Sequence, residues 1–296
     1  MPYLNSQGVQ LYYEEAGRGL PMVFVHEFAD DLRSWEAQLR YFSRRYRCIA
    51  FNARGYPPSD VPAALSKYSP TAAVEDIANV IRQLRLVKAH IVGCSMGGYA
   101  TLLFGLKYAH MARSLTAIGA GSGSDPARRT KFLKASAAAA RRFENEGLKA
   151  ALKPYLTTAN RVQLRIKDPR AFTEFKQRFM EQSALGHANT IRGVTMRRPA
   201  IYRLERQLAR LSVPTHLVVG DEDDDLLEPG VFMKRVCRAA RLTIVPASGH
   251  VVNIEEPVLF NQITSDFLSL VDTGSWRPRD ARAVNTYRTP VKRRRG

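Results

Sequence analysis

The chain has 296 residues, of which 45% are hydrophobic and 24% charged, with a formal net charge of +18. That length allows one large α/β domain or two smaller ones. No apolar run reaches transmembrane length, no charged-then-apolar leader opens MPYLNSQGVQ, and Cys48, Cys94 and Cys237 are too few and wrongly spaced for a disulfide framework or a zinc site, so the expectation is a protein of the reducing cytoplasm with no membrane span.

A charge of +18 suggests a nucleic-acid binder until its distribution is read. Residues 122–210 hold 20 Lys and Arg against 7 Asp and Glu, residues 272–296 hold 8 against 2, and the remainder holds 17 against 18. The excess therefore sits in one internal segment and one terminus. No specific nucleic-acid partner is predicted.

Short apolar runs alternate with helical patterns, which predicts a mostly parallel sheet covered by helices on both faces. GVQLYYEEAG (8–17) predicts an opening strand and PMVFVHE (21–27) a buried one. A helical pattern over 31–42 and a strand over 46–53 follow. The next helix, over 70–84, has Pro70 near its first turn and Glu75 and Asp76 early in it. AHIVGCS (89–95) and SLTAIGAG (114–121) read as further strands. Residues 122–210 then carry no convincing strand, only helical stretches such as 127–152 and 169–185. Strand signals resume at PTHLVVGD (214–221) and ARLTIVPAS (240–248), with a helix predicted over 231–240 between them and a last one over 255–271. The predicted organisation is a core of residues 1–121 and 211–271, a helical insertion at 122–210, and a basic, mobile tail at 272–296 with no apolar period.

One stretch carries chemistry. Gly93-Cys94-Ser95-Met96-Gly97 links a predicted strand to a predicted helix with the spacing G-x-S-x-G. Glycines at those positions suit a turn tight enough to push the serine out at the strand's end, where helix N-terminal amides favour developing negative charge. Cys94 is adjacent, but neighbouring strand residues face opposite ways, so it is read as core packing. A serine hydroxyl needs a base, and the base needs an orienting acid. His250 lies in a loop after one later strand, and Asp223 lies three residues past Gly220, which closes another. Asp225 is the alternative acid. His90, His110, His187 and His216 are read as polar loop residues.

The order Ser, Asp, His, together with VFVHEF, NARGYPPS, GCSMGG, GDEDDDLLEP and SGHVVNIEEPVLFN, resembles the serine hydrolases of the α/β-hydrolase fold superfamily over roughly residues 4–271. The resemblance implies an α/β-hydrolase fold whose helical insertion is a cap over the active site. It implies Ser95 as nucleophile, His250 as general base and acid, and Asp223 as its partner. The oxyanion hole would be formed by the backbone N–H groups of Phe28 and Met96. No P-loop or Rossmann fingerprint is present and GAGSGS (119–124) lacks a lysine, so no nucleotide or other cofactor is implied. A serine at the elbow also departs from the Asp nucleophile of related haloalkane dehalogenases and epoxide hydrolases.

The sequence departs from the family's usual His-Gly by having His26-Glu27 at the oxyanion strand. A carboxylate in the hole would oppose the charge forming there. Glu27 is expected to turn away towards Arg54 as a supporting ion pair, with a catalytic carboxylate as the alternative, and Glu27→Gln is expected to keep most turnover. Asn52, where relatives often have Asp, is read as structural.

The function implied is cofactor-independent hydrolysis of a small carboxylic ester or lactone. The alternatives are hydrolysis of a carbon–carbon bond in a diketone acid and, in a different class, a non-catalytic ligand receptor. Arginine pairs at 128–129, 141–142 and 197–198 either solvate helix faces or steer an anionic small-molecule substrate. The KRRRG end is read as a solubility element or a non-specific site for an acidic partner, and the oligomeric state is not legible.

Overall fold

The computed structural model describes residues 2–283. The strands are β1 (Tyr3–Ser6), β2 (Val9–Ala16), β3 (Leu20–Val25), β4 (Tyr46–Phe51), β5 (Ala89–Cys94), β6 (Ala112–Ile118), β7 (Thr215–Gly220) and β8 (Ala240–Val245). They form one sheet in the order β1-β2-β4-β3-β5-β6-β7-β8. β1 pairs antiparallel with β2, and β2 antiparallel with β4, while every pair from β4 to β8 is parallel. This is the mostly parallel, doubly covered sheet of an α/β-hydrolase fold. Parallel strands buried on both faces read as continuous apolar runs, and both β5 and β7 are buried at every position. β1 was not expected as a separate strand. Its YLNS is a four-residue edge element with alternating burial, too short and polar to stand out.

The helices are α1 (Glu36–Phe42), α2 (Pro70–Gln83), α3 (Met96–Lys107), α4 (Arg129–Tyr155, broken at Gly147), α5 (Val162–Lys167), α6 (Pro169–Met180), α7 (Ala184–Thr190), α8 (Glu205–Arg210), α9 (Asp224–Val236), α10 (Val252–Glu255) and α11 (Pro257–Asp272). α2 starts as its sequence predicts, with Pro70 in the first turn and the Ser69 hydroxyl accepting from Ala72 N–H. α9 begins seven residues before the predicted 231. Its Asp224 and Asp225 lie in the first turn, where carboxylates complement the helix dipole. Ile77, Leu102, Phe104 and Met233 belong to the apolar layer on one face of the sheet. Trp35, Phe42, Phe260 and Leu268 belong to the layer on the other.

Residues 122–210 contain helices and no strand among the described residues. Phe143, Phe175 and Phe179 of this segment join the second apolar layer, so the insertion and the core share buried surface. Residues 273–283 are not free of the core, as the sequence had suggested. Trp276 N–H donates to Leu270 O (2.8 Å), Arg279 N–H to Arg238 O (2.8 Å), and the Arg241 guanidinium lies 5.7 Å from the Trp276 ring centroid. Trp276 has an apolar surface to cover, and that anchors its neighbours. The KRRRG end lies outside the described residues.

Candidate active site

The parallel strands deliver their C-terminal ends to one edge of the sheet, and the chemistry-bearing loops gather there. β5 ends at Cys94 and α3 starts at Met96, which leaves Ser95 alone in the turn at φ 52° and ψ −109°. A non-glycine residue at positive φ stores roughly 1–3 kcal/mol of strain. Ser95 N–H donates to Ile118 O at 2.7 Å, which ties the turn to β6. The flanking glycines are steric requirements. A Cβ on Gly97 would lie 2.2 Å from Val25 O, and one on Gly93 would lie 2.3 Å from Gly97 O.

The Ser95 Oγ is 2.7 Å from His250 Nε2, and His250 Nδ1 is 2.6 Å from Asp223 Oδ2. A carboxylate accepts only, so the neutral ring carries its proton on Nδ1 and leaves Nε2 to accept the serine proton. Burial pushes the imidazole's pKa down, but attraction and hydrogen bonding from Asp223 outweigh that and hold it above the usual histidine value. Asp225 also borders the cleft, but it sits 2.8 Å from Arg128 and both side chains are about 70% exposed. Asp223 is therefore the acid on the histidine. A Cβ on Gly119 would lie 3.2 Å from His250 Cε1, so a larger residue there would press on the ring.

Cys94 faces away, in the second apolar layer, where burial raises its thiol pKa well above the ordinary value. Met96 is the first residue of α3, so its N–H has no acceptor within the helix. Phe28 lies in the loop after β3 and, with Met96, borders the same cleft as Ser95 and His250.

The expected Glu27–Arg54 pair does not form. Arg54 instead makes a fork to Asp76, with Nε 2.8 Å from Oδ2 and Nη2 2.6 Å from Oδ1, and its Nη1 donates to Lys67 O. Glu27 turns away from the cleft and meets Arg161 of the insertion, whose Nη2 is 2.7 Å from both carboxylate oxygens. Arg161 is fully buried, with its guanidinium carbon 4.4 Å from the Phe175 ring centroid and 5.2 Å from that of Tyr155. Asp30, three residues on, makes a second fork to Arg178 of α6 (2.7 and 2.9 Å). The loop after β3 is thus held to the insertion by two ion pairs. His26 accepts the Ala53 N–H on Nε2 (2.9 Å) and holds Glu27 O with Nδ1 (2.7 Å), bracing the same loop from below.

Of the four remaining histidines, His110 is the exposed turn residue expected, between α3 and β6, and the other three are not. His90 and His216 are buried on β5 and β7, bonded to Ser114 Oγ (2.8 Å) and Thr243 Oγ1 (2.9 Å). His187, on α7, sits among the rings of Phe28, Tyr56, Phe143 and Phe179 with centroids 4.7–5.2 Å away, and burial pushes its pKa down to about 3. It is a neutral ring packed against Phe28, and no local spacing announces it.

The cleft above Ser95 has a volume of about 390 Å³ and is walled largely by Phe132, Phe143, Ala151, Tyr155 and Ile191 of the insertion. That is the size and character of a small-molecule site. Among the described residues no cluster of His, Cys, Asp and Glu is arranged to hold a metal ion, and no helix is long and apolar enough to cross a membrane.

The sequence model of the alpha/beta hydrolase fold family matches residues 21–257. The chain belongs to that family. Among curated proteins it is 26% identical over 270 residues to 3-oxoadipate enol-lactonase 1 of Acinetobacter baylyi, covering 90% of this chain and 96% of that one. It is 25% identical over 275 residues to a Bacillus subtilis protein provisionally named 2-succinyl-6-hydroxy-2,4-cyclohexadiene-1-carboxylate synthase, covering 90% and 97%. Among solved structures, the enol-lactonase from Burkholderia xenovorans LB400 superposes with a TM-score of 0.78 at 20% identity, over 90% of this chain and 100% of that one. That last likeness speaks for the fold.

Proposed function

We propose that this hydrolase cleaves a small carboxylic ester or lactone through an acyl-enzyme on Ser95. The observation that carries this reading is the unbroken relay from Ser95 Oγ through His250 to Asp223, 2.7 and 2.6 Å, opening onto an apolar cleft. His250 Nε2 takes the Ser95 proton as Oγ attacks the carbonyl carbon. The oxygen that becomes negative is received by the N–H groups of Met96 and Phe28, which would be worth ~3–4 kcal/mol each in the transition state. The imidazolium, stabilised by Asp223, then protonates the departing alkoxide. Water, deprotonated by the same nitrogen, releases the acid. In a lactone the alkoxide and the acyl group stay in one molecule, and the product is a hydroxy acid. Residues 122–210 act as the lid that shapes the cleft and excludes water. The full-length kinship to an enol-lactonase supports the lactone branch, and the three buried, free cysteines suit a reducing cytoplasm.

The test is hydrolysis of p-nitrophenyl butyrate and of γ-butyrolactone as a function of pH. Only neutral His250 can accept the serine proton, and Asp223 raises its pKa, so kcat/KM is expected to rise with pH through one deprotonation centred above about 6.5. Asp223→Asn should shift that midpoint downwards. A midpoint below the ordinary histidine value, or no hydrolysis of either substrate, would contradict the reading.

A further inference from the structure

Among the described residues four arginines are buried: Arg54, Arg161, Arg178 and Arg198. Three of them are neutralised by a carboxylate, on Asp76, Glu27 and Asp30 respectively. Arg198 makes no ion pair among the described residues. Its Nη2 donates to Ser122 O at 3.0 Å, its guanidinium carbon stands 4.7 Å from the Tyr99 ring centroid, and its buried Nε has no partner. The side chain is 6% exposed, and what it borders is the cleft that holds Ser95 and His250.

An arginine held charged without a counter-ion in a low-dielectric site is costly, and the cost is normally removed by a carboxylate. The neighbours do not supply one. Arg129 approaches with a second positive charge and donates to Arg198 O at 2.8 Å. The cleft's two acids are already engaged, Asp223 by His250 and Asp225 by Arg128. Burial without a counter-charge pushes the Arg198 pKa down to about 10, as expected for a cation waiting for an anion. The position is also fixed. Tyr99 OH donates to Pro199 O and Arg129 Nη2 holds Arg198 O, so the guanidinium is presented from braced backbone. The other arginine on the cleft, Arg142, is 40% exposed and lies 4.0 Å from Glu146, so it is a weaker anchor.

We infer that Arg198 is the anchor for a carboxylate borne by the substrate, so the esters or lactones cleaved at Ser95 are those carrying a second, free acid group. This rests on the hydrolytic reading of the site but is separable from it. A planar carboxylate would take the free Nε–H and the adjoining guanidinium edge in a charge-assisted pair and supply the missing counter-charge. A neutral substrate of the same length would leave that cation unpaired. The basic surface of the insertion would add steering but no selectivity between acids.

The experiment compares p-nitrophenyl hydrogen glutarate with neutral p-nitrophenyl butyrate on the full chain. Arg198→Met is expected to reduce the acid-to-neutral ratio of kcat/KM by about 10- to 100-fold, mostly through KM, as loss of one hydrogen bond to a charged group predicts. Arg198→Lys should fall between, because it keeps the charge and loses the fork. In the unaltered protein, glutarate should inhibit butyrate hydrolysis competitively and glutaramide should not, which keeps the test alive if Arg198→Met fails to fold. An unchanged ratio in Arg198→Met and Arg198→Lys, or equal inhibition by glutarate and glutaramide, overturns the inference while leaving hydrolysis at Ser95 standing. If neither ester is hydrolysed, the hydrolytic reading fails instead. Calorimetric binding of glutarate to Ser95→Ala, abolished by adding Arg198→Met, would then still support the carboxylate anchor.

Discussion

Ser95→Ala is expected to lower kcat for p-nitrophenyl butyrate by about 10⁴- to 10⁶-fold, and His250→Ala by a similar factor, since nucleophile and base act as a unit. The double variant should be little worse than either single one. Whatever activity remains would come from the oxyanion donors and from binding, which neither substitution touches. Asp223→Asn should cost about 10⁴-fold, because an amide facing Nδ1 fixes the wrong tautomer and removes the charge that stabilises the imidazolium. Asp225→Asn should change kcat less than about threefold, because it breaks only an exposed pair with Arg128. Steady-state kinetics on the five variants checks this. A loss with Asp225→Asn rivalling that of Asp223→Asn would move the acid role to Asp225.

The second large effect is on stability. Glu27 and Arg161 are 2% and 0% exposed, and removing one partner leaves the other charged and buried. Glu27→Gln is therefore expected to destabilise the fold by about 3–5 kcal/mol in urea unfolding. Arg161 also keeps Nε and Nη1 unpartnered, and no second carboxylate forms an ion pair with it among the described residues. Replacing both residues together, as Glu27→Leu with Arg161→Met, should recover most of that loss, since a buried pair exchanged for apolar side chains is often close to neutral. Turnover of Glu27→Gln measured well below its melting temperature should stay within a few-fold of the unaltered protein, because Glu27 does not border the cleft. A loss of turnover as deep as that of Ser95→Ala would instead make Glu27 a catalytic group.

These residues show where the sequence was informative. The fold was legible because buried parallel strands are continuous apolar runs and each is followed by helix or loop signals. The candidate triad was legible because each member stands just past a strand end, in an order that few folds share. The Asp223 reading rested on its offset from Gly220, and the tertiary structure separates it from Asp225 by a helix start: Asp223 precedes α9 and Asp225 points outward from its first turn. The partner of Glu27 was not legible. Arg54 was the expected partner, but Arg161 lies 134 residues away along the chain and is brought in only by packing of the insertion. Arg54 is committed to Asp76, a residue that reads in the sequence only as an early position of its helix. His90 and His216 misled because a polar ring in a short strand is indistinguishable from a loop residue until its hydrogen-bond partner on the next strand is in place. Arg198 was legible only as one of an arginine pair. Its isolation from every carboxylate is a property of the folded cleft.

A fluorophosphonate probe tests most directly whether Ser95 is the nucleophile. Intact mass should show one adduct per chain, peptide mapping should place it on Ser95, and the adduct should be absent from Ser95→Ala and strongly slowed in His250→Ala. Failure to label the folded protein, or labelling that persists at another residue in Ser95→Ala, would contradict the account.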